Sequence, residues 1–129
     1  MIKTLVLFFT ILISQNSSAN SDYETFCLKR DNPSDKIVCN LSDKLKISPT
    51  KVGVGMMLAS LEMTGTFCDF DFSDNFLDYR IQQENDIEVR KVVEFLIAFY
   101  SNKSPPGFNG DKKVFCKLQY STYQKQIFK

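Results

Sequence analysis

Apolar residues recur at three- and four-residue spacing over most of the chain, the period of helices that bury one stripe. Ile37, Val38, Leu41 and Leu45 form such a stripe, with Lys36, Asp43, Lys44 and Lys46 opposite and Ser34 placed to cap the start. Upstream, Tyr23, Phe26 and Cys27 share one face of a short helix over 22–30, which Asn32 and Pro33 are expected to stop. Ser48-Pro49 pairs a capping hydroxyl with a proline suited to the first helical position, and so predicts the next helix. There Val52, Met56, Ala59 and Met63 form one face, and Val54, Leu58 and Leu61 a neighbouring one. Two apolar faces mark a central helix covered on more than one side. Gly53, Gly55, Ala59 and Ser60 keep it slim, and Gly65 is the expected stop.

Ser73 can cap a helix carrying Phe76, Leu77, Tyr79 and Ile81, and Asp86 another that runs from Ile87 through Val92, Val93, Leu96, Ile97 and Tyr100. The stretch 92–100 is apolar except for Glu94, so a buried strand competes with a buried helix there. The charges in its first turns and the capping Asp86 favour the helix. Residues 101–111, SNKSPPGFNGD, predict a loop. After it, Val114, Cys116, Leu118 and Tyr120 alternate with Phe115, Lys117, Gln119 and Ser121, the period of a short strand. The expected fold is therefore a small, mainly α domain with room for a short extended or β segment near the C-terminus.

The first nineteen residues depart from this pattern. Lys3, the apolar run 5–13, and Ser17 and Ala19 at the minus-three and minus-one positions read as an export signal cleaved before Asn20. The run is far shorter than the roughly 20 residues of a membrane span, so the mature chain 20–129 is expected to carry no transmembrane anchor. Secretion or periplasmic release follows, with one domain and no second catalytic unit. In a eukaryotic secretory route, Asn40-Leu41-Ser42 and Asn102-Lys103-Ser104 would be glycan acceptors. Cys27, Cys39, Cys68 and Cys116 all lie beyond the signal, and an even number in a small exported chain predicts two disulfides. Of three pairings, Cys27 with Cys39 and Cys68 with Cys116 is preferred: the first closes a local loop, the second ties the middle to the tail.

Composition narrows the chemistry. At 43% apolar, 24% charged and net charge +1, the chain is neither a disordered polyelectrolyte nor a strongly basic nucleic-acid binder. It has no histidine, which removes the usual serine or cysteine relay, and Gly53-Val54-Gly55 lacks the rest of a dinucleotide fingerprint. No cofactor or metal is expected. Asp69, Asp71, Ser73 and Asn75 imitate the first ligands of a calcium loop, but Asp74 stands at the glycine position and Arg80 where the final Glu belongs. Helix capping and a solvated acidic face account better for this cluster.

Linear charge order is uneven: residues 62–94 carry net minus six and residues 103–129 net plus five. Neutralisation within the fold is one reading, and a basic, aromatic docking surface built from Lys117, Tyr120, Tyr123 and Lys125, with Phe108 as a loop anchor, is the other. For Phe108 the simpler expectation is that it folds back over Tyr100 and Phe115. The succession of an apolar helix, Phe67-Cys68, another apolar helix and Phe115-Cys116 resembles small exported helical immunity proteins, and the resemblance covers only those two pairs and the hydrophobic pattern. The leading expectation is a secreted or periplasmic protein that binds or modulates another protein, as an effector, immunity factor or accessory. The alternatives are a minimal secreted hydrolase using Asp69, Asp71 or Asp74, and a small carrier of hydrophobic ligands.

Overall fold

The computed structural model describes residues 26–28, 32–123 and 126–129. These form five helices: α1 (Pro33–Leu45), α2 (Pro49–Phe67), α3 (Asp74–Glu84), α4 (Ile87–Phe99) and α5 (Lys112–Tyr123). The export signal, the first part of the 22–30 helix and Lys125 lie outside the described residues.

Three of the expected start signals operate as capping groups. The Ser48 and Ser73 hydroxyls accept from the Lys51 and Phe76 N–H groups, and the Asp86 carboxylate accepts from the Glu88 N–H at 2.9 Å. Each satisfies an amide that the helix itself leaves unpaired. Residues 92–99, within the helix that Asp86 caps, are helical rather than extended, and Tyr100 is the C-cap.

Three expectations are corrected. Pro33, ahead of the expected cap Ser34, begins α1, because a proline at the first helical position has no amide to lose; the last residues of the expected 22–30 helix lie outside the described residues. Gly65 does not stop α2, which continues to Phe67. A Cβ at Gly65 would fall 2.5 Å from the Phe72 ring, so this glycine serves close packing. The stop comes four residues later, where Asp69 turns left-handed at φ 57° and the Phe70 N–H donates back to the Gly65 carbonyl. Asp69→Gly is therefore expected to stabilise the fold by about 1 kcal/mol, read as a higher urea midpoint, since glycine adopts that φ without a Cβ penalty. An unchanged or lower midpoint would contradict the capping role.

The third correction concerns residues 114–121, which are helical. Asp111 accepts from the Val114 N–H at 3.1 Å and starts α5. Val114 and Leu118 point to solvent while Phe115 is buried, so the alternation of apolar residues does not coincide with an alternation of burial. Among the described residues, extended pairing near the C-terminus is confined to one antiparallel bridge between Phe72 and Phe128.

α2 is the axis of the molecule and packs most extensively on α4. Gly55 allows this approach: a Cβ there would lie 2.5 Å from Val92 Cγ1. On one side of α2, Val54, Leu58, Ala59 and Leu61 meet Phe76 of α3 and Val89 and Val93 of α4. On the other, Val52 meets Val38 of α1, Ile47 and Val92. Val52, Leu58 and Val92 are fully buried, and each such side chain contributes roughly 1.5–3 kcal/mol.

The tail closes the first cluster. Phe128 is fully buried, with its ring 4.9 Å from Phe70, 5.7 Å from Phe72 and 6.3 Å from Tyr123. Ser73 binds this segment twice, its N–H donating to the Ile127 carbonyl and its hydroxyl to that of Gln126. Disulfides join Cys27 to Cys39 and Cys68 to Cys116, the pairing preferred from loop lengths. The second holds α5 to the end of α2.

Lys51 clamps α2 to the start of α4, with its ammonium 3.1 Å from Asp86 and 2.9 Å from Glu88. Burial works against the charged form of Asp86, but hydrogen bonds from Lys51 and from backbone amides, with the lysine's charge, outweigh it and hold its pKa below the ordinary value. A depressed carboxylate stabilises the fold above its unfolded pKa and loses that contribution as pH falls through its folded one. Stability should thus decline as pH falls from about 5 toward 2, less steeply in Asp86→Asn. Urea midpoints measured across that range test this, and identical slopes would refute it.

Candidate functional site

The helices that enclose the core leave an apolar groove of about 470 Å³ where α1 and α4 diverge over α2. Its floor is Met56, Ser60 and Met63, at i, i+4 and i+7 on α2. Ile37, Asn40, Leu41 and Lys44 of α1 form one wall, and Phe95, Leu96 and Phe99 of α4 the other, with Tyr100 and Pro106 contributing from the following loop. α4 produces this wall because its apolar band is wider than the core requires: Val89, Val92 and Val93 are buried, whereas Phe99 remains 54% exposed. Ile37 across the groove is 59% exposed. Large apolar side chains held this open on both rims are the pattern of a recognition surface.

A second groove, of about 390 Å³, shares Met63 and Tyr100 with the first and runs toward Phe67, Ile97, Lys103 and Pro105. Three lysines ride on rings that line the two grooves. Lys44 Nζ lies 5.0 Å from the Phe95 ring centre, Lys103 Nζ 3.8 Å from that of Phe99, and Lys112 Nζ 4.8 Å from that of Phe67. Aromatic faces attract cations in this geometry. Lys44 and Lys103 have no carboxylate partner among the described residues.

Glu62 is the one acid among the residues lining the grooves, and it is already engaged. Burial pushes its carboxyl above the ordinary value, Arg80 at 3.5 Å draws it down, and Glu84 adds an upward push. Arg80 Nε is buried and 3.7 Å from the Glu84 carboxylate, too far for a hydrogen bond. Burial also raises the neighbouring Tyr79 phenol to about 12. These groups support the α2–α3 contact.

The residues singled out from sequence are not brought together at either groove. Asp69 is the left-handed residue after α2, and Asp74 opens α3 at the surface, 3.9 Å from Lys129. Asp71 is also exposed and uses its carbonyl to accept from the Lys129 N–H. None of the three lines a groove, and no cluster of three metal-ligating side chains occurs among the described residues. Phe108 folds back onto Phe67 and Phe115, with ring centres 5.1 and 5.7 Å away. Tyr120 and Tyr123 are half-buried against Phe70 and Phe128. Lys117 is exposed on α5 beside Val114 and Leu118. The Lys129–Asp74 pair links the acidic middle to the basic tail among the described residues, and at this exposure it contributes little.

Ile37, Lys44, Phe95, Phe99 and Lys103 were not anticipated as a site. The available signal was the Phe95–Phe99 pair at i, i+4, surplus to a stripe already completed by valines. The sequence matches no family model, and it matches no curated protein and no solved structure.

Proposed function

We propose that the protein is an exported, disulfide-stabilised binding module that seats a partner protein in the groove between α1, α2 and α4. The observation that carries this reading is the pair of half-exposed walls, Ile37 and Phe99, framing a methionine floor. Methionines adapt to the shape of an occupant, and apolar rims of this kind lose water when a macromolecule covers them. A closed chamber would suit a carrier, whereas this groove is open along its rims. The aspartates of the hydrolase reading lie elsewhere: Asp69 in the turn after α2, Asp71 exposed beside the tail, and Asp74 in a surface pair with Lys129. Tyr120 and Tyr123 are occupied in ring packing, which favours the groove over the tail as the docking surface.

The test is chemical crosslinking in the compartment to which the chain is exported, comparing wild type with Ile37→Asp/Phe99→Asp and with Ile81→Asp. Ile81 is 61% exposed on α3 and lines neither groove. Wild type and Ile81→Asp should yield the same crosslinked partner, and the groove variant at least about tenfold less. Equal yield from the groove variant, or equal loss from Ile81→Asp, would overturn the proposal.

A further inference from the structure

We infer that the occupant of this groove is an amphipathic helix of a partner protein carrying acidic residues at the ends of its apolar stripe. The inference rests on the function proposed above and adds the chemistry of the partner. Three observations support it. Met56, Ser60 and Met63 lie along α2 over about 10 Å, the length of two helical turns, with the small Ser60 between the larger pair. A helix laid along this floor would place anchors at i, i+4 and i+7 and pack beside α1 and α4 as they already pack on α2. A small ligand confined to the floor would leave the outer parts of Ile37 and Phe99 wet, whereas a helix reaches both rims.

The third observation is charge. Lys44 and Lys103 flank the groove on the faces of Phe95 and Phe99, without a carboxylate partner among the described residues. Glu62, the acid nearest to them in the lining, is matched by Arg80. Unneutralised positive charge therefore stands on both rings of the α4 wall, Lys44 reaching across from α1 and Lys103 coming from the following loop, which selects acidic flanks and repels basic ones.

Three roughly 16-residue helical peptides test this. The first has leucines at i, i+4 and i+7 and glutamates at both ends, the second has lysines at the ends instead, and the third has the leucines scrambled. Binding to the full disulfide-bonded protein is read from the methyl signals of Met56 and Met63, with Met57, which packs into the core on another face of α2, as the internal control. The glutamate-ended peptide should shift Met56 and Met63 but not Met57, and bind at least about tenfold more tightly than the lysine-ended one at low salt. Lys44→Glu/Lys103→Glu should reverse that order.

Equal binding of both leucine-striped peptides at these methyls would refute the acidic partner while leaving the groove as the docking surface. Absence of any methyl shift would refute the helical occupant, and the crosslinking comparison would then judge the groove separately. Shifts produced by dodecanoate in place of peptide, or by raising the protein's own concentration, would overturn the inference in favour of a lipid or a second copy.

Discussion

Replacing Cys68 and Cys116 together with alanine is expected to lower stability by about 4 kcal/mol, the chain entropy released when a loop of this length is opened. The bond spans 48 positions and joins the end of α2 to α5. Otherwise α5 is held by rings: Phe115 is buried and Tyr120 and Tyr123 pack on Phe70 and Phe128, while Val114, Lys117 and Leu118 are exposed. A small domain with about twice that stability in total would melt well over 10 °C lower. Urea denaturation gives the magnitude, and amide exchange gives the place, since α5 should lose protection before α2 and α4. A loss below about 1 kcal/mol would mean that ring packing alone secures the tail. The shorter Cys27–Cys39 link, spanning 12 positions, should contribute about 3 kcal/mol on the same basis.

Phe128→Ala should be comparably damaging, at about 3–5 kcal/mol, although it changes the penultimate residue of the chain. The ring is fully buried among Phe70, Phe72 and Tyr123, and its backbone lies beside the cap of α3. Its removal leaves a cavity and also loosens the Phe72–Phe128 bridge, next to which Ser73 holds Gln126 and Ile127. Phe128→Leu should recover most of the loss, because it restores volume without the ring contacts. Near-ultraviolet circular dichroism and urea midpoints distinguish the two variants. If Phe128→Ala unfolds at the wild-type midpoint, the tail is not part of the cooperative core.

The helical class and the disulfide pairing were legible because their determinants are local. Ser48-Pro49, Ser73 and Asp86 each carry the oxygen that satisfies a helix start, and loop closure favours the cysteine pairing that forms. α5 was obscured because Val114 and Leu118 are apolar yet exposed, which makes a helix look like an alternating strand. Asp111 was the missed cue. Gly65 was misjudged for a different reason: a glycine near a helix end serves equally as a stop or as a gap for a neighbouring ring, and only the position of Phe72 decides between them. The groove was the least legible feature. It is assembled from side chains of α1, α2 and α4 that are distant in sequence, and only the packing of those helices brings them together.

The placement of the two crosslinks has a mechanical consequence. When the oxidised chain is pulled from its ends, the segments between Cys27 and Cys39 and between Cys68 and Cys116 are bypassed, so α3, α4 and the proline-rich loop bear no tension. The load passes instead through the second half of α1, the whole of α2, and the part of α5 and the tail that follow Cys116. Stretching would draw the tail off its seat beside Ser73 and the central rod from between its neighbours, while the shielded hairpin of α3 and α4 stays slack.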